Sequence, residues 1–283
     1  MDSEEVLEGL TPEGVLETTN SWERGAVDEQ TLESDQAPDI ASSTEDYAAR
    51  FSGPVGHFLL SVQNKTILDL VTNAASKKVL DVGGGHAQLA PMISQHVRDY
   101  SVTGSSEQCS QLLSELIEDK KIKFNKGSLL DLPHRDNQFD TVLSIRMLAH
   151  LKEWQQFIDE LCRVSSNTVI VEYPEYLSCN LVGRPFFALK KAIEKNTRPY
   201  RLFSQSEIIE EFERNGFELV EVKKQLTLPL ALHRIFGILT GKAELSRFLE
   251  SIAQSFGLTR LIGSPVVLSF RKKKLNAQLP SRG

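Results

Sequence analysis

Cysteine is scarce in this chain: three in 283 residues, at positions 109, 162 and 179. Their spacing matches neither a disulfide framework nor a zinc or redox pattern, so Cys109, Cys162 and Cys179 read as buried thiols that pack as small hydrophobes. No uninterrupted apolar run approaches the ~20 residues that a membrane-spanning helix requires. A basic leader is also missing, because Met1-Asp2-Ser3-Glu4-Glu5 is acidic where a secretory or mitochondrial signal is positively charged. These absences lead us to expect a cytoplasmic protein, long enough to bury a sizeable core.

Positive charge is nearly absent from the first 45 residues, which hold thirteen Asp or Glu against Arg24 alone, a balance of −12. With the whole chain at −6, the remainder carries +6. The leader also has few aromatics and no sustained apolar period, so residues 1–43 are expected to be an acidic, mostly disordered segment. From Glu45 the pattern becomes helical, with Tyr47, Phe51, Val55, Phe58, Leu59, Val62, Ile67 and Leu70 recurring at helix spacing and Gly53-Pro54 as a break.

The most informative stretch is Val79-Leu80-Asp81-Val82-Gly83-Gly84-Gly85-His86-Ala87. Val79, Leu80 and Val82 suit a strand buried on both faces, and the glycines suit a turn that a ligand can approach. A helix from about Gln88 would then add unpaired amide donors. A dinucleotide fingerprint beginning at Gly83 requires glycine at position 88, where Gln88 stands, and no Gly-Lys-Ser/Thr follows for a phosphate loop. Both readings are therefore set aside.

Downstream, strands and helices alternate. Strands are expected near Tyr100 to Thr103, Ile122 to Asn125, Phe139 to Ile145 and Thr168 to Glu172, separated by helices, which implies right-handed parallel crossovers and ligands at the carboxyl edge. Ser204-Gln205-Ser206-Glu207 matches a helix capping box, with Asn215-Gly216 as the stop. Phe217 to Leu226 and Pro265 to Phe270 can form a terminal antiparallel pair. The expected organisation is a domain over 44–275 with helical inserts at about 176–203 and 229–263, and a flexible tail over 276–283.

The pattern Asp81-x-Gly83-x-Gly85-x-Ala87 resembles the first motif of class I S-adenosylmethionine-dependent methyltransferases, with Ala87 in place of their frequent third glycine. Leu132-Pro133, Phe139-Asp140, Leu148, His150 and Cys162-Arg163-Val164 are similar to the small-molecule branch of that family, which includes the quinone-biosynthesis methyltransferases. The resemblance covers about residues 45–272. It implies a doubly wound, Rossmann-like α/β fold with a seven-stranded sheet, mostly parallel with an antiparallel terminal strand, and helices on both faces. It also implies S-adenosyl-L-methionine as cofactor, with Asp81 and the backbone at Gly83 and Gly85 at its amino-acid part and Gly84 and Ile145 in the same binding set.

Two positions depart from the family. Where an acid usually receives the ribose hydroxyls at the end of the second strand, this chain has Ser105 and Ser106, and the first carboxylate is Glu107. Near the adenine it has Ser128 and Leu129. A serine lacks the charge-assisted, two-oxygen grip of a carboxylate, a difference of ~1 to 2 kcal/mol. A noncatalytic binding or assembly protein of the same fold therefore stays open as the alternative.

Methyl transfer needs alignment, exclusion of water and, for an oxygen nucleophile, a base. The candidate catalytic residues at the strand ends are Arg146 and His150 after the fourth strand, and Glu172 and Tyr173 after the fifth; His150 can take a phenolic or enolic proton near neutral pH. The apolar inserts, with Leu181, Phe186 and Phe187 in the first and Leu230, Leu232 and Phe236 in the second, favour a small lipophilic or aromatic acceptor. They leave peripheral contact with a membrane open. A nucleic acid partner is set aside, because no basic stripe carries interleaved aromatics.

Overall fold

The computed structural model of the protein describes residues 37–176, 178 and 201–274. Three helices come first, α1 (Asp39–Ser42), α2 (Glu45–Ala49) and α3 (Gly53–Asn73). Then follow β1 (Lys78–Val82), the short α4 (Ala90–Ile93), β2 (Asp99–Gly104), α5 (Ser114–Glu118), β3 (Lys123–Lys126) and β4 (Phe139–Ser144). The chain continues through α6 (Trp154–Val164), β5 (Ser165–Tyr173), α7 (Gln205–Arg214) and β6 (Phe217–Lys224). Three further helices, α8 (Leu230–Thr240), α9 (Glu244–Ser255) and α10 (Leu258–Ile262), precede β7 (Val266–Lys272).

The seven strands form one sheet in the order β3-β2-β1-β4-β5-β7-β6. The first five pair in parallel, while β7 runs antiparallel to both β5 and β6. This is the doubly wound, mostly parallel architecture that the alternation of elements implies. Alternate residues of each central strand enter two separate apolar cores: Leu80, Val82, Val142, Val169 and Val171 face one, and Val79, Leu143 and Ile170 face the other. Period-two burial on both sides is why these strands read as near-continuous apolar runs. The order reverses beside β1, between β2 and β4, so the glycine turn lies at the switch point where such sheets bind ligands.

Several local expectations change. No long helix follows the glycine turn: Gly84–His86 is a single 3-10 turn and α4 spans only four residues, with Pro91 in its first turn. Proline has no N–H to offer, so the expected row of amide donors from Gln88 onward is not formed. Of the acidic leader, residues 1–36 lie outside the described residues, but Asp39–Ser42 is helical and Asp39 is fully buried. Its carboxylate accepts hydrogen bonds from the Ser105 amide (2.7 Å), the Ser105 hydroxyl (2.5 Å) and the Cys109 thiol (3.3 Å), which explains why this end of the leader is folded.

Cys109 and Cys162 are buried free thiols, and Cys179 lies outside the described residues. Burial pushes the Cys109 thiol up to about 11, helped by the Asp39 charge. The first insert, expected at about 176–203, falls mostly outside the described residues, and so do Leu181, Phe186 and Phe187. Its two ends meet where Glu175 bridges Phe203, whose buried ring sits edge-on to Trp154 at 5.2 Å and to Tyr173 at 6.2 Å. The second insert is α8 to α10 and hangs from the carboxyl edge of β6.

The capping box forms as the sequence implies: the Ser204 hydroxyl accepts from the Glu207 amide, and the Glu207 carboxylate accepts from the Ser204 amide. Ser204→Ala is therefore expected to cost about 1 kcal/mol of stability, read as a lower midpoint in urea denaturation. An unchanged midpoint contradicts this account of α7.

Candidate functional site

The site is built around the turn after β1. Gly83 adopts a left-handed φ of +79°, and its amide donates to the Thr103 carbonyl at 2.8 Å, tying the turn to β2. Ala87 closes the turn at a φ of +57°, a conformation glycine adopts without strain. Beneath the turn lies the Asp81 carboxylate: a Cβ on Gly84 would stand 2.2 Å from Asp81 Oδ2. The space beside Gly85, expected to admit a ligand, is instead filled by Ser43 Oγ and the Cys109 carbonyl, which such a Cβ would meet at 2.2 and 2.6 Å. Gly85 thus allows α1 and the segment after β2 to pack on the turn.

Asp81 is buried and accepts a hydrogen bond from the Tyr100 hydroxyl at 2.8 Å on Oδ2. Its Oδ1 has no partner among the described residues. Burial raises the carboxyl to about 7, against the lowering effect of the Tyr100 bond. On the same turn, His86 Nδ1 accepts from the Gln88 amide at 3.2 Å, and Nε2 is buried without a partner among the described residues. Burial, reinforced by the Arg146 charge, pushes the imidazole down to about 3, so it is neutral and its proton is assigned to Nε2 by the bond that Nδ1 accepts. The turn therefore carries an unused acceptor and an unused donor.

Arg146, just past β4, has a left-handed φ of +64°. Its guanidinium donates to Gln88 and Gln63, and Gln63 in turn donates to Glu172 at the end of β5. The guanidinium carbon stands 4.2 Å from the centre of the Phe51 ring, within range of a cation–π contact. Burial raises the Glu172 carboxyl, while the Arg146 charge and the Gln63 bond oppose that shift. Arg146 and Glu172, both singled out in the sequence, are thus brought into one polar chain. Tyr173 points to the opposite face of the sheet with its hydroxyl buried, and burial raises its pKa. His150 ends a one-turn 3-10 helix, Leu148–His150, and is half-buried.

The serine positions are engaged within the chain. Ser105 holds Asp39, Ser106 caps the following 3-10 segment by accepting from the Gln108 amide at 3.3 Å, and Ser128 accepts from the Leu130 amide at 3.1 Å. Glu107 is exposed, whereas Leu129 and Ile145 are buried. Asp39, Gln63 and His86 are site residues that the sequence reading did not single out. Only Gln63 left a signal, as a polar residue on the apolar period Leu59, Gln63, Ile67 of α3.

Residues 80–170 match a family model described as a methyltransferase domain. Among curated proteins, ajmaline N-methyltransferase of Rauvolfia serpentina is 40% identical over 55 residues, 19% of this chain and 19% of that protein. Norajmaline N-methyltransferase of the same plant is 27% identical over 110 residues, 37% of this chain and 38% of that protein. The matches thus span well under half the length of these curated relatives. Among solved structures, magnesium protoporphyrin IX methyltransferase from Synechocystis with bound S-adenosylhomocysteine superposes with a TM-score of 0.53 at 13% identity, covering 93% of this chain and 95% of that one. The resemblance read from the sequence stands in its coarse form: the fold is similar to that of the superposed methyltransferase, and residues 80–170 match a methyltransferase domain. None of these similarities singles out the quinone-biosynthesis branch.

The Asp81 carboxyl gives this site a pH signature. The unfolded chain holds it near its ordinary 3.8, and the fold lifts it to about 7, so between these values the native state keeps a proton that the unfolded state has released. Its contribution is therefore lost as pH rises through that window. Asp81→Asn, which retains an acceptor for Tyr100 without the charge, is expected to exceed the parent in stability by on the order of 2 kcal/mol at about pH 8. The gap should close toward about pH 4, as read from thermal midpoints. A gap that is independent of pH contradicts the assignment.

Proposed function

We propose that this protein, whose residues 80–170 carry a methyltransferase domain, is an S-adenosylmethionine-dependent methyltransferase acting on oxygen or carbon of a small lipophilic or aromatic acceptor. The observation that carries this reading is the turn at Gly83 to Ala87, which sits at the sheet's switch point with an unused acceptor on Asp81 and an unused donor on His86. Buried polar groups without partners cost about 1 to 3 kcal/mol each, so this pair is suited to a ligand that supplies both partners. The amino-acid end of S-adenosylmethionine does so: its ammonium suits Asp81 Oδ1, and its carboxylate suits His86 Nε2–H. When bound, this cofactor supplies a methyl group on a sulfonium leaving group.

The chain's own residues then position and deprotonate. Ser106 and Glu107 are the candidates for the ribose side, and Ser128, Leu129 and Ile145 for the adenine side. Arg146, fixed by Gln63 and Gln88, presents a positive charge near the strand ends, where it can orient an anionic or phenolic acceptor. His150, half-buried just past β4, is the proposed base for an acceptor hydroxyl. Glu172, at the end of the Arg146–Gln63 chain, would shape the acceptor side, whereas Tyr173 lies on the opposite face of the sheet and packs against Phe203.

One observation favours a noncatalytic reading: the amide and hydroxyl of Ser105 are committed to Asp39, so this edge of the pocket is closed by the chain itself. Isothermal calorimetry with S-adenosylhomocysteine separates the outcomes. Binding is expected, and no heat at millimolar ligand would overturn the cofactor assignment. Ser106→Asp, which restores a carboxylate at the expected ribose position and can still cap Gln108, is expected to tighten binding roughly tenfold. An unchanged affinity would remove Ser106 from the ribose subsite. Tight binding without methyl transfer to any phenolic, quinol or amine acceptor would select the noncatalytic protein.

A further inference from the structure

The second insert is built inside out. In an ordinary surface helix the apolar stripe faces the core and polar residues face water. In α9 the residues turned inward are Ser246, Glu250 and Ala253, at spacings of four and three, all buried. Phe248 and Ile252 lie on the outward side and Phe256 follows at the C-terminal cap, and the three are exposed by 61%, 39% and 78%. The inward face is held by polar contacts. Glu250 accepts from the Thr227 amide (2.9 Å), the Leu228 amide (2.9 Å) and His233 Nε2 (3.0 Å), while the Thr227 and Thr259 hydroxyls share a hydrogen bond of 2.6 Å.

The apolar exterior extends beyond this helix. Ile238 and Leu239 at the end of α8 and Leu261 in α10 are exposed by 74%, 76% and 68%. These large exposed side chains lie on three helices that pack in sequence, α8 on α9 and α9 on α10, and a set of this kind marks an interaction site. Its charge is one-sided: Lys242, Arg247 and Arg260 are exposed within 238–262, and Glu244 is the only exposed acid there. No described helix is long and apolar enough to cross a membrane.

We propose that this face, α8 to α10, docks on the surface of an anionic lipid bilayer, with Phe248, Ile252, Phe256 and Leu261 entering the headgroup region and Lys242 and Arg260 meeting lipid phosphates and carboxylates, while the Arg247 guanidinium packs over the Phe58 ring at 5.1 Å. Aromatic and aliphatic side chains flanked by basic residues are the composition that binds such interfaces. Association of two copies through this face would set its net positive charge against itself, whereas an anionic bilayer complements it. The insert hangs from the carboxyl edge of the sheet, as does the candidate site, so docking would present that edge to molecules dissolved in the lipid. The docking itself does not depend on methyl transfer.

Cosedimentation of the full chain with phosphatidylcholine vesicles, with and without phosphatidylserine, tests the proposal. Binding is expected with phosphatidylserine and at least several-fold less without it. The double substitution Phe248→Asp with Phe256→Asp, at exposed positions, should lower vesicle binding at least tenfold while leaving the thermal midpoint and S-adenosylhomocysteine binding unchanged. Lys242→Glu with Arg260→Glu should abolish the preference for anionic vesicles. Failure to bind phosphatidylserine vesicles overturns the proposal, as does full binding by the Phe248/Phe256 variant. A stable dimer that this variant dissociates, without vesicle binding, would reassign the face to self-association.

Discussion

A carboxylate lies buried under a backbone turn, and the geometry of the candidate site depends on that contact. Asp81 occupies the space that any side chain on Gly84 would need, so a substitution there would displace the carboxylate. Tyr100 from β2 satisfies one carboxyl oxygen, while the Gly83 amide is tied to the Thr103 carbonyl of the same strand. β1, β2 and the turn are thereby fixed as one unit at the point where the sheet changes direction. Taking the carboxyl out of water raises its pKa to about 7, so the fold carries a group that would gain from a cationic partner.

The fold was largely legible in the sequence because its signals are local. Val79, Leu80 and Val82 are apolar on both faces of a strand, Ser204 to Glu207 encodes a cap, and the run from Phe139 to Ile145 has no competing helical period. The site was legible only where one segment carries it, as at Asp81 to Gly85. Asp39 meets Ser105 across 66 positions and Gln63 meets Glu172 across 109, distances over which neither period nor motif reports a pairing. The helix expected from Gln88 is cut short because Pro91 removes a donor and the turn consumes the residues before it. The acidic composition of the leader is likewise no guide to Asp39, whose fate is set by a distant serine.

On the proposed cofactor reading, the departures at Ser106 and Ser128 change what would hold the ligand. Recognition would then rest on the turn, where Asp81 and His86 each have one unmet partner among the described residues, and on Arg146, which is braced by two glutamines. The leader contributes as well, since Asp39 and Ser43 pack where β2 and the turn meet. On the same reading an amino-acid moiety suits the arrangement, because its ammonium and carboxylate match the unused acceptor of Asp81 and the unused donor of His86.

A crystal structure of the protein with S-adenosylhomocysteine tests this account most directly. The account predicts the ligand's ammonium within hydrogen-bond distance of Asp81 Oδ1 and its carboxylate at His86 Nε2, with the ribose beyond Ser106. A ligand bound elsewhere on the sheet edge, or one whose amino-acid end leaves Asp81 and His86 unpaired, would contradict it.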